Sequence, residues 1–248
     1  MKAMVLAAGQ GTRLRPITDS LPKALVPVAG RRMIDYVLLL LRHYDIKEVI
    51  INLHHLGEKI ESYLGDGSQF GLEITYSKEP ELLDTGGGLL KAKPFLDDSA
   101  FIVINTDALI DVNLADLIAF HKKANAAVTL VLRADENADR YGSLDIDERG
   151  RIYRFLHTQA PTPPSGPTRK LMFTGVQILD RRVFDYMDNH AAPRKFGTTT
   201  QTYPRMLAAG EALFGFCYEG FWQDLGTPER INFLEEKFAS GQAKLHYL

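Results

Sequence analysis

The sequence predicts an α/β fold: a mainly parallel sheet flanked by helices, with a smaller lobe in the second half. Three observations predict it. Apolar, β-branched runs alternate with segments of helical period through the first half. That βαβα order is how parallel strands joined by crossover helices read. The first such strand runs straight into a loop carrying Gly9 and Gly11, followed by Arg13, Arg15 and Lys23; ligands of parallel sheets bind beyond the carboxyl ends of the strands.

The elements follow in order. Strands are predicted at Lys2–Ala7, Glu48–Leu53, Leu72–Tyr76, Phe101–Asn105 and Ala127–Arg133. Helices are predicted between them at Met33–Tyr44, Gly57–Leu64, Gly87–Lys93 and Asn113–Lys123. The run Leu38–Leu41 marks a buried helix. Asp147-Glu148-Arg149-Gly150 reads as a turn between short strands Ser143–Ile146 and Arg151–Phe155. His157 to Thr168, with four prolines and a glycine, reads as a loop without regular structure, either a lid or a plain connection. Strand Leu171–Leu179, helix Arg182–Met187, a helix around Thr200–Ala209, strand Ala212–Tyr218 and a helix from Thr227 to Ala239 complete the chain. No internal repeats are visible. We expect one domain over residues 1–248, with a ligand-binding core to about 140 and a second lobe with a closing helix from about 141.

Composition excludes several classes. A net charge of −2 gives no bulk attraction to nucleic acid. The single Cys217 cannot form an intramolecular disulfide, which fits a reducing, cytoplasmic setting. The apolar run Val37–Leu41 is far too short to span a bilayer, and the N-terminus reads as a strand rather than a signal peptide. Oligomeric state is not legible, and a homodimer stays open.

The glycine loop and its cations suit a polyphosphate, because bare backbone admits close approach and the cations meet the charge. Two common phosphate loops do not fit. A dinucleotide fingerprint starting at Gly9 needs glycine where Leu14 stands, and a P-loop needs Gly-Lys where Leu14-Arg15 stands. No helix is expected at once, since Pro16 and Pro22 follow. What Leu6 to Pro16 and Pro22-Lys23 do resemble, position by position, is the signature L-A-A-G-x-G-T-R-L-R-P…P-K of the sugar-1-phosphate nucleotidylyltransferases.

That resemblance implies a Rossmann-like core of the nucleotide-diphospho-sugar transferase type with a sugar-binding lobe. It implies a reaction of a nucleoside triphosphate with a sugar 1-phosphate, giving a nucleotide sugar and pyrophosphate with Mg²⁺ as cofactor. Leu6, Ala7, Ala8, Gly9, Gly11, Thr12 and Arg13 would bind nucleotide, with Arg13 and Lys23 acting on the phosphates. Asp107, in Asn105-Thr106-Asp107 after an apolar strand, is placed either to hold a cation or to cap a turn. The family's strand ending in (N)-G-D implies the former. Asp224, in Trp222-Gln223-Asp224-Leu225-Gly226-Thr227-Pro228-Glu229, matches the family's W-x-D-x-G-T-P-E. Thr227 to Glu229 make sense as a helix start, which leaves Asp224 without a local task and free for the metal.

In Glu79 to Gly88, three glycines put bare backbone at a helix start where a planar base could approach. The family's L-G-T-A/G-G segment reads the base there, so Thr85, Gly86 and Gly87 are candidates, with Asp84 in place of a glycine. Glu79 can accept from guanine N1–H and N2–H₂, or less fully from uracil N3–H, and suits cytosine poorly.

On the sugar side the match thins. His157, Thr158 and Gln159 stand where relatives have E-K-P, and Phe173-Thr174-Gly175-Val176-Gln177 where they have N-x-G-x-Y. Tyr141-Gly142 keeps the family's Y-G, so Tyr141, Gly142, His157, Thr174 and Gly175 are the sugar candidates. Some members carry a β-helix of hexapeptide repeats; none follow Pro228 here.

The reading favours a mannose- or heptose-1-phosphate guanylyltransferase, supported by Asp139-Arg140-Tyr141-Gly142 and Glu79. An N-acetylmuramate- or other hexose-1-phosphate uridylyltransferase is the alternative, supported by L-D-T-G-G-G and F-x-G. A catalytically silent, nucleotide-binding regulatory subunit is a competitor of another class. A third reading is cytidylyl transfer to a non-sugar phosphate such as phosphocholine, which the altered sugar motifs permit but Glu79 suits poorly. The expected partners are the nucleotide and the sugar phosphate, with neither nucleic acid nor membrane.

Overall fold

The structure, a computed structural model, describes residues 1–135, 144–187 and 194–248. In chain order its elements begin with β1 (Ala3–Leu6), α1 (Ile17–Ser20), β2 (Pro27–Val28), β3 (Arg31–Arg32), α2 (Met33–His43) and β4 (Glu48–Leu53). They continue with α3 (Gly57–Leu64), β5 (Glu73–Lys78), α4 (Asp84–Leu96), β6 (Phe101–Asn105), β7 (Ala108–Ile110) and α5 (Leu114–Ala124). The second half holds β8 (Val128–Arg133), β9 (Leu144–Ile146), β10 (Ile152–Phe155), β11 (Thr158–Gln159) and β12 (Arg169–Leu179). It ends with α6 (Tyr203–Ala208), β13 (Leu213–Cys217), β14 (Trp222–Asp224) and α7 (Pro228–Ala239). The α/β class is as expected, with helices flanking a large sheet.

The chain folds into two compact units, and neither is one stretch of sequence. The first comprises Met1–Leu82, Ile104–Val112 and Gly220–Leu248; the second comprises Leu83–Val103 and Asn113–Glu219.

In the first unit, β1 and β5 flank β4 in parallel, with Leu6 opposite Asn52 and Asn52 opposite Ser77. Ala3, Met4 and Val5 are fully buried, as are Val49 and Ile51. Helix α2 is buried from Met33 through Leu41, the all-round burial that its leucine run predicts. A two-stranded antiparallel ladder joins β7 to β14, setting Ala108 opposite Asp224. The sequence reading missed both of these strands: three-residue strands are too short to show a period of two.

In the second unit, β8 pairs with β13 in parallel and with β12 antiparallel. Strands β9, β10 and β11 extend from β12 as antiparallel neighbours. The expected Asp147–Gly150 turn is present, closed by Gly150 N–H on the Asp147 carbonyl at 3.0 Å. The loop after His157 is less irregular than expected. Thr158–Gln159 pair with β10, and Ser165 N–H reaches Asp147 Oδ2 at 3.2 Å. Asp147 makes this possible, since its Oδ1 already accepts from the N–H groups of Arg149 and Arg151 at 2.9 Å each. The segments predicted as helices at 182–187 and 200–209 are a 3₁₀ turn at Arg181–Tyr186 and a π turn at Thr198–Thr202 leading into α6.

His121, on α5, is buried and its Nδ1 lies 2.9 Å from Thr129 Oγ1. Burial pushes its imidazole down from the ordinary 6.5 to about 4, with nearby Asp180 opposing and Arg182 and Lys122 adding to the fall. The unfolded chain therefore takes up a proton near pH 6.5 that the native chain refuses until about pH 4. Native stability should fall as pH drops through that window, by up to about 3 kcal/mol from this residue. Urea unfolding at pH 7 and pH 4.5 checks it: His121→Asn should lose this part of the pH slope.

Candidate active site

The glycine loop is built by local contacts that use its odd residues. Gly11 has φ of 64°, a left-handed backbone that favours glycine. Its carbonyl accepts from Thr18 Oγ1 at 2.8 Å and from Leu14 N–H at 2.8 Å. The second of these bonds starts a 3₁₀ turn, Thr12–Leu14, immediately after the loop. That turn is only three residues long, and the first α-helix, α1, begins after Pro16, at Ile17. Arg15 points away into an exposed pair with Asp19 at 3.2 Å.

Lys23 opens a second 3₁₀ turn, entered from extended Pro22. Its stem lies against Gly11, where an added Cβ would stand 3.0 Å from Lys23 Cβ. Its Nζ reaches Asp107 Oδ2 at 2.6 Å, with the lysine side chain only 12% exposed. Thr106, the departure from the family's glycine, has a task of its own. Its hydroxyl donates to the Leu6 carbonyl at 2.9 Å and ties the end of β6 to the end of β1.

Asp224 stands one rung from Asp107. It pairs with Ala108 across the β7–β14 ladder, and Leu225 N–H donates to the Asp107 carbonyl at 2.8 Å. The expectation that Asp224 has no structural work is corrected. Its Oδ1 accepts from Gly226 N–H at 2.5 Å, and its Oδ2 lies 2.7 Å from Arg230 Nη1, one turn into α7. Thr227 does occupy the N-cap of α7, but without a side-chain cap bond. Arg13 lies over Gly226, where an added Cβ would meet its Nη2 at 2.5 Å. Four sequence-distant residues, Arg13, Lys23, Asp107 and Asp224, are thereby gathered in the first unit, with Gly226 and Arg230 as members the sequence reading did not single out.

Glu79 belongs to the same unit and is buried. Its N–H donates to the Leu53 carbonyl at 2.7 Å, and its own carbonyl lies 2.9 Å from His54 Nδ1. Asn52 Nδ2 donates to Glu79 Oε1 at 2.8 Å, while Asn52 Oδ1 accepts from Ala7 N–H at 2.9 Å. A cavity of about 180 Å³ opens beside it, lined by Leu53, His54, Gly57, Glu58, Glu61, Lys78 and Glu79.

The second unit holds the triple glycine, and here the structure corrects the expectation of bare backbone. The Phe196 carbonyl accepts from Gly86 N–H at 2.8 Å and from Gly87 N–H at 3.3 Å. Thr85 Oγ1 accepts from Thr198 N–H at 2.9 Å. An added Cβ would meet the Phe196 ring at 2.3 Å from Gly86 and the Arg194 carbonyl oxygen at 2.4 Å from Gly87. The glycines admit a strap of this chain's own residues, 194–198. Helix α4 also starts earlier than predicted, at Asp84. Gly86→Ala should cost about 1–3 kcal/mol by overpacking against Phe196, read as a thermal midpoint lowered by several degrees.

Of the sugar candidates, Tyr141 and Gly142 lie outside the described residues, as do Asp139 and Arg140. His157 is exposed between β10 and β11. Thr174 is buried, its hydroxyl donating to the Val131 carbonyl at 2.8 Å. Gly175, with φ of 94°, sits where the β12–β8 register shifts.

Carboxylates are the kind of donor that a hard divalent cation takes. Asp224 lies on a rung of the β7–β14 ladder, and Asp107 directly precedes its partner Ala108; among the described residues no group of three or more His, Cys, Asp or Glu is placed to hold a metal ion. A pair of carboxylates completed by water and phosphate is the usual arrangement for Mg²⁺. No described helix is long and apolar enough to cross a membrane.

The chain has recognisable relatives among known proteins. The chain is 33% identical over 228 residues to a mannose-1-phosphate guanylyltransferase of Mycobacterium tuberculosis, covering 92% of this chain and 61% of that one. It is 33% identical over 236 residues to an N-acetylmuramate alpha-1-phosphate uridylyltransferase of Neisseria meningitidis, covering 93% and 95%. It spans about three fifths of the length of most of the curated relatives it matches. Its fold matches that of HddC from Yersinia pseudotuberculosis complexed with GMP-PN, with a TM-score of 0.75 at 23% identity over 96% of this chain and 99% of that one. Residues 2–240 match the model of the nucleotidyl transferase family, and the chain belongs to that family.

Proposed function

We propose that this chain catalyses nucleotidyl transfer to a sugar 1-phosphate. The observation that carries it is the Lys23–Asp107 contact at 2.6 Å, one ladder rung from Asp224 and within the unit that holds the glycine loop. A phosphate oxygen of the sugar phosphate attacks the α-phosphorus, the α–β bridging bond breaks, and pyrophosphate leaves with the bond electrons. The nucleophile is already ionised at neutral pH, so no general base is needed. The barrier lies in bringing two anions together and in the charge that builds on the leaving group. Arg13 would take charge on the β- and γ-phosphates, and Lys23 would hold the α-phosphate toward the incoming one. Asp107 and Asp224 would hold Mg²⁺, which when bound draws the phosphates together and offsets their charge. Their pairing with Lys23 and Arg230 keeps both carboxylates oriented.

Guanylyl transfer to a mannose- or heptose-1-phosphate is the favoured form, on the strength of the buried, acceptor-only Glu79 beside a cavity and of the mycobacterial relative. Uridylyl transfer is the second reading, favoured by the neisserial relative that the chain matches nearly end to end. The test is pyrophosphate release with Mg²⁺, crossing each nucleoside triphosphate with mannose-, heptose-, glucose- and N-acetylmuramate-1-phosphates, with Asp107→Ala as control. Turnover with one pair, lost in the control, supports the proposal. Tight nucleotide binding with no turnover on any acceptor would instead favour a silent nucleotide-binding subunit.

A further inference from the structure

We propose that Asn52 is a specificity-determining positioning residue: it fixes the Glu79 carboxylate and so sets which nucleobase the chain accepts. The inference rests on the reading of Glu79 as the base contact. Asn52 sits in the central strand of β1-β4-β5, opposite Leu6 on one side and Ser77 on the other. Its neighbours along β4, Ile50, Ile51 and Leu53, are buried and apolar, and Asn52 itself is 3% exposed. Burying an amide there costs free energy unless both ends are bonded, and a valine or leucine would satisfy the packing alone. Both ends are bonded, and in a forced sense. The Ala7 N–H can only donate, so the amide oxygen must face it at 2.9 Å. The NH₂ group must then face Glu79, and Oε1 must accept from it at 2.8 Å. No flip of the amide serves both partners.

The Glu79 backbone is clamped as well, its N–H on the Leu53 carbonyl and its carbonyl on the His54 ring. With the main chain held at both ends and one carboxylate oxygen tied, the plane of the carboxylate is set before any ligand arrives. A preset acceptor plane discriminates between base edges that a swivelling one would accommodate. The same amide holds Ala7 N–H at the entry to the glycine loop, so base reading and phosphate loop share one anchor.

The test is calorimetric binding of GTP, UTP, ATP and CTP to the full chain and to Asn52→Ala, Asn52→Asp and Glu79→Gln. Asn52→Asp keeps an acceptor for Ala7 N–H but sets a carboxylate against Glu79, so it remains informative where Asn52→Ala folds poorly. Both Asn52 variants should lower the affinity ratio between the preferred nucleotide and the others by on the order of 10-fold or more. The loss should fall on the preferred nucleotide. Glu79→Gln should change the same ratio. If Glu79→Gln changes it while both Asn52 variants leave it unmoved, Asn52 is a packing residue and the inference fails alone. If Glu79→Gln leaves it unmoved, or the native chain binds all four alike, the reading of Glu79 falls and takes the inference with it.

Discussion

Replacing Lys23 with alanine should lower turnover by on the order of 10²–10³-fold, the usual loss when one charge-stabilising group is removed from a transition state. Its side chain is 12% exposed, with a stem packed over Gly11 and an ammonium 2.6 Å from Asp107. The variant also leaves Asp107 without this partner. Lys23→Arg should not restore activity, because the planar guanidinium fork is wider than the compact ammonium that meets Asp107 at 2.6 Å. Asp107→Asn should cost a similar factor. The double variant should cost less than the product of the two, since residues in direct contact are not additive. Steady-state kinetics with matched thermal midpoints for all four proteins would check this; a fully multiplicative double variant would mean that the two residues act separately.

Gly226→Ala is expected to cut kcat/KM for the nucleotide by about 10–100-fold, equivalent to about 1.4–2.7 kcal/mol. The new methyl would stand 2.5 Å from Arg13 Nη2 and 2.7 Å from Asp224 Oδ1. The arginine tip is flexible and can withdraw, so the fold should survive, but it withdraws from the position proposed for the phosphates. Asp224 is less able to give way, being bonded to Gly226 N–H and Arg230. The variant should therefore show a raised KM for nucleotide with a thermal midpoint close to the native one. A lowered midpoint with unchanged KM would show that Gly226 serves the turn alone.

The sequence made much of this molecule legible, for identifiable reasons. Strand β4 and helix α3 fall at their predicted bounds, because an apolar β-branched run and an amphipathic turn pattern announce themselves locally. Asp107 could be nominated from its place after an apolar strand and the family's (N)-G-D, and Asp224 from the W-x-D-x-G-T-P-E segment. What stayed hidden was non-local. Ladder β7–β14 gives no periodic signal, so the meeting of Asp107 with Leu225 was invisible. Gly86 and Gly87 were read as room for a ligand, yet Phe196 and Arg194 fill that room, and no local pattern could have named a segment so distant in sequence. Asn52 did leave a trace, as an amide inside Ile-Ile-Asn-Leu where the pattern asks for an aliphatic residue.

The first unit is assembled from three separated stretches of chain, and this bears on how the protein comes to be competent. Its closing ladder joins residues near 108 to residues near 224, a contact that must wait until Asn113–Glu219 of the second unit has been synthesised between them. Chains dominated by such non-local pairings fold slowly, because loop closure precedes the contacts that repay it. A nascent chain that has emerged through Asp107 already carries Lys23 and the glycine loop, but lacks Asp224, Gly226 and Arg230. On the proposed function, the loop that would bind phosphate is synthesised before the second carboxylate, and competence would wait for residues 220–248.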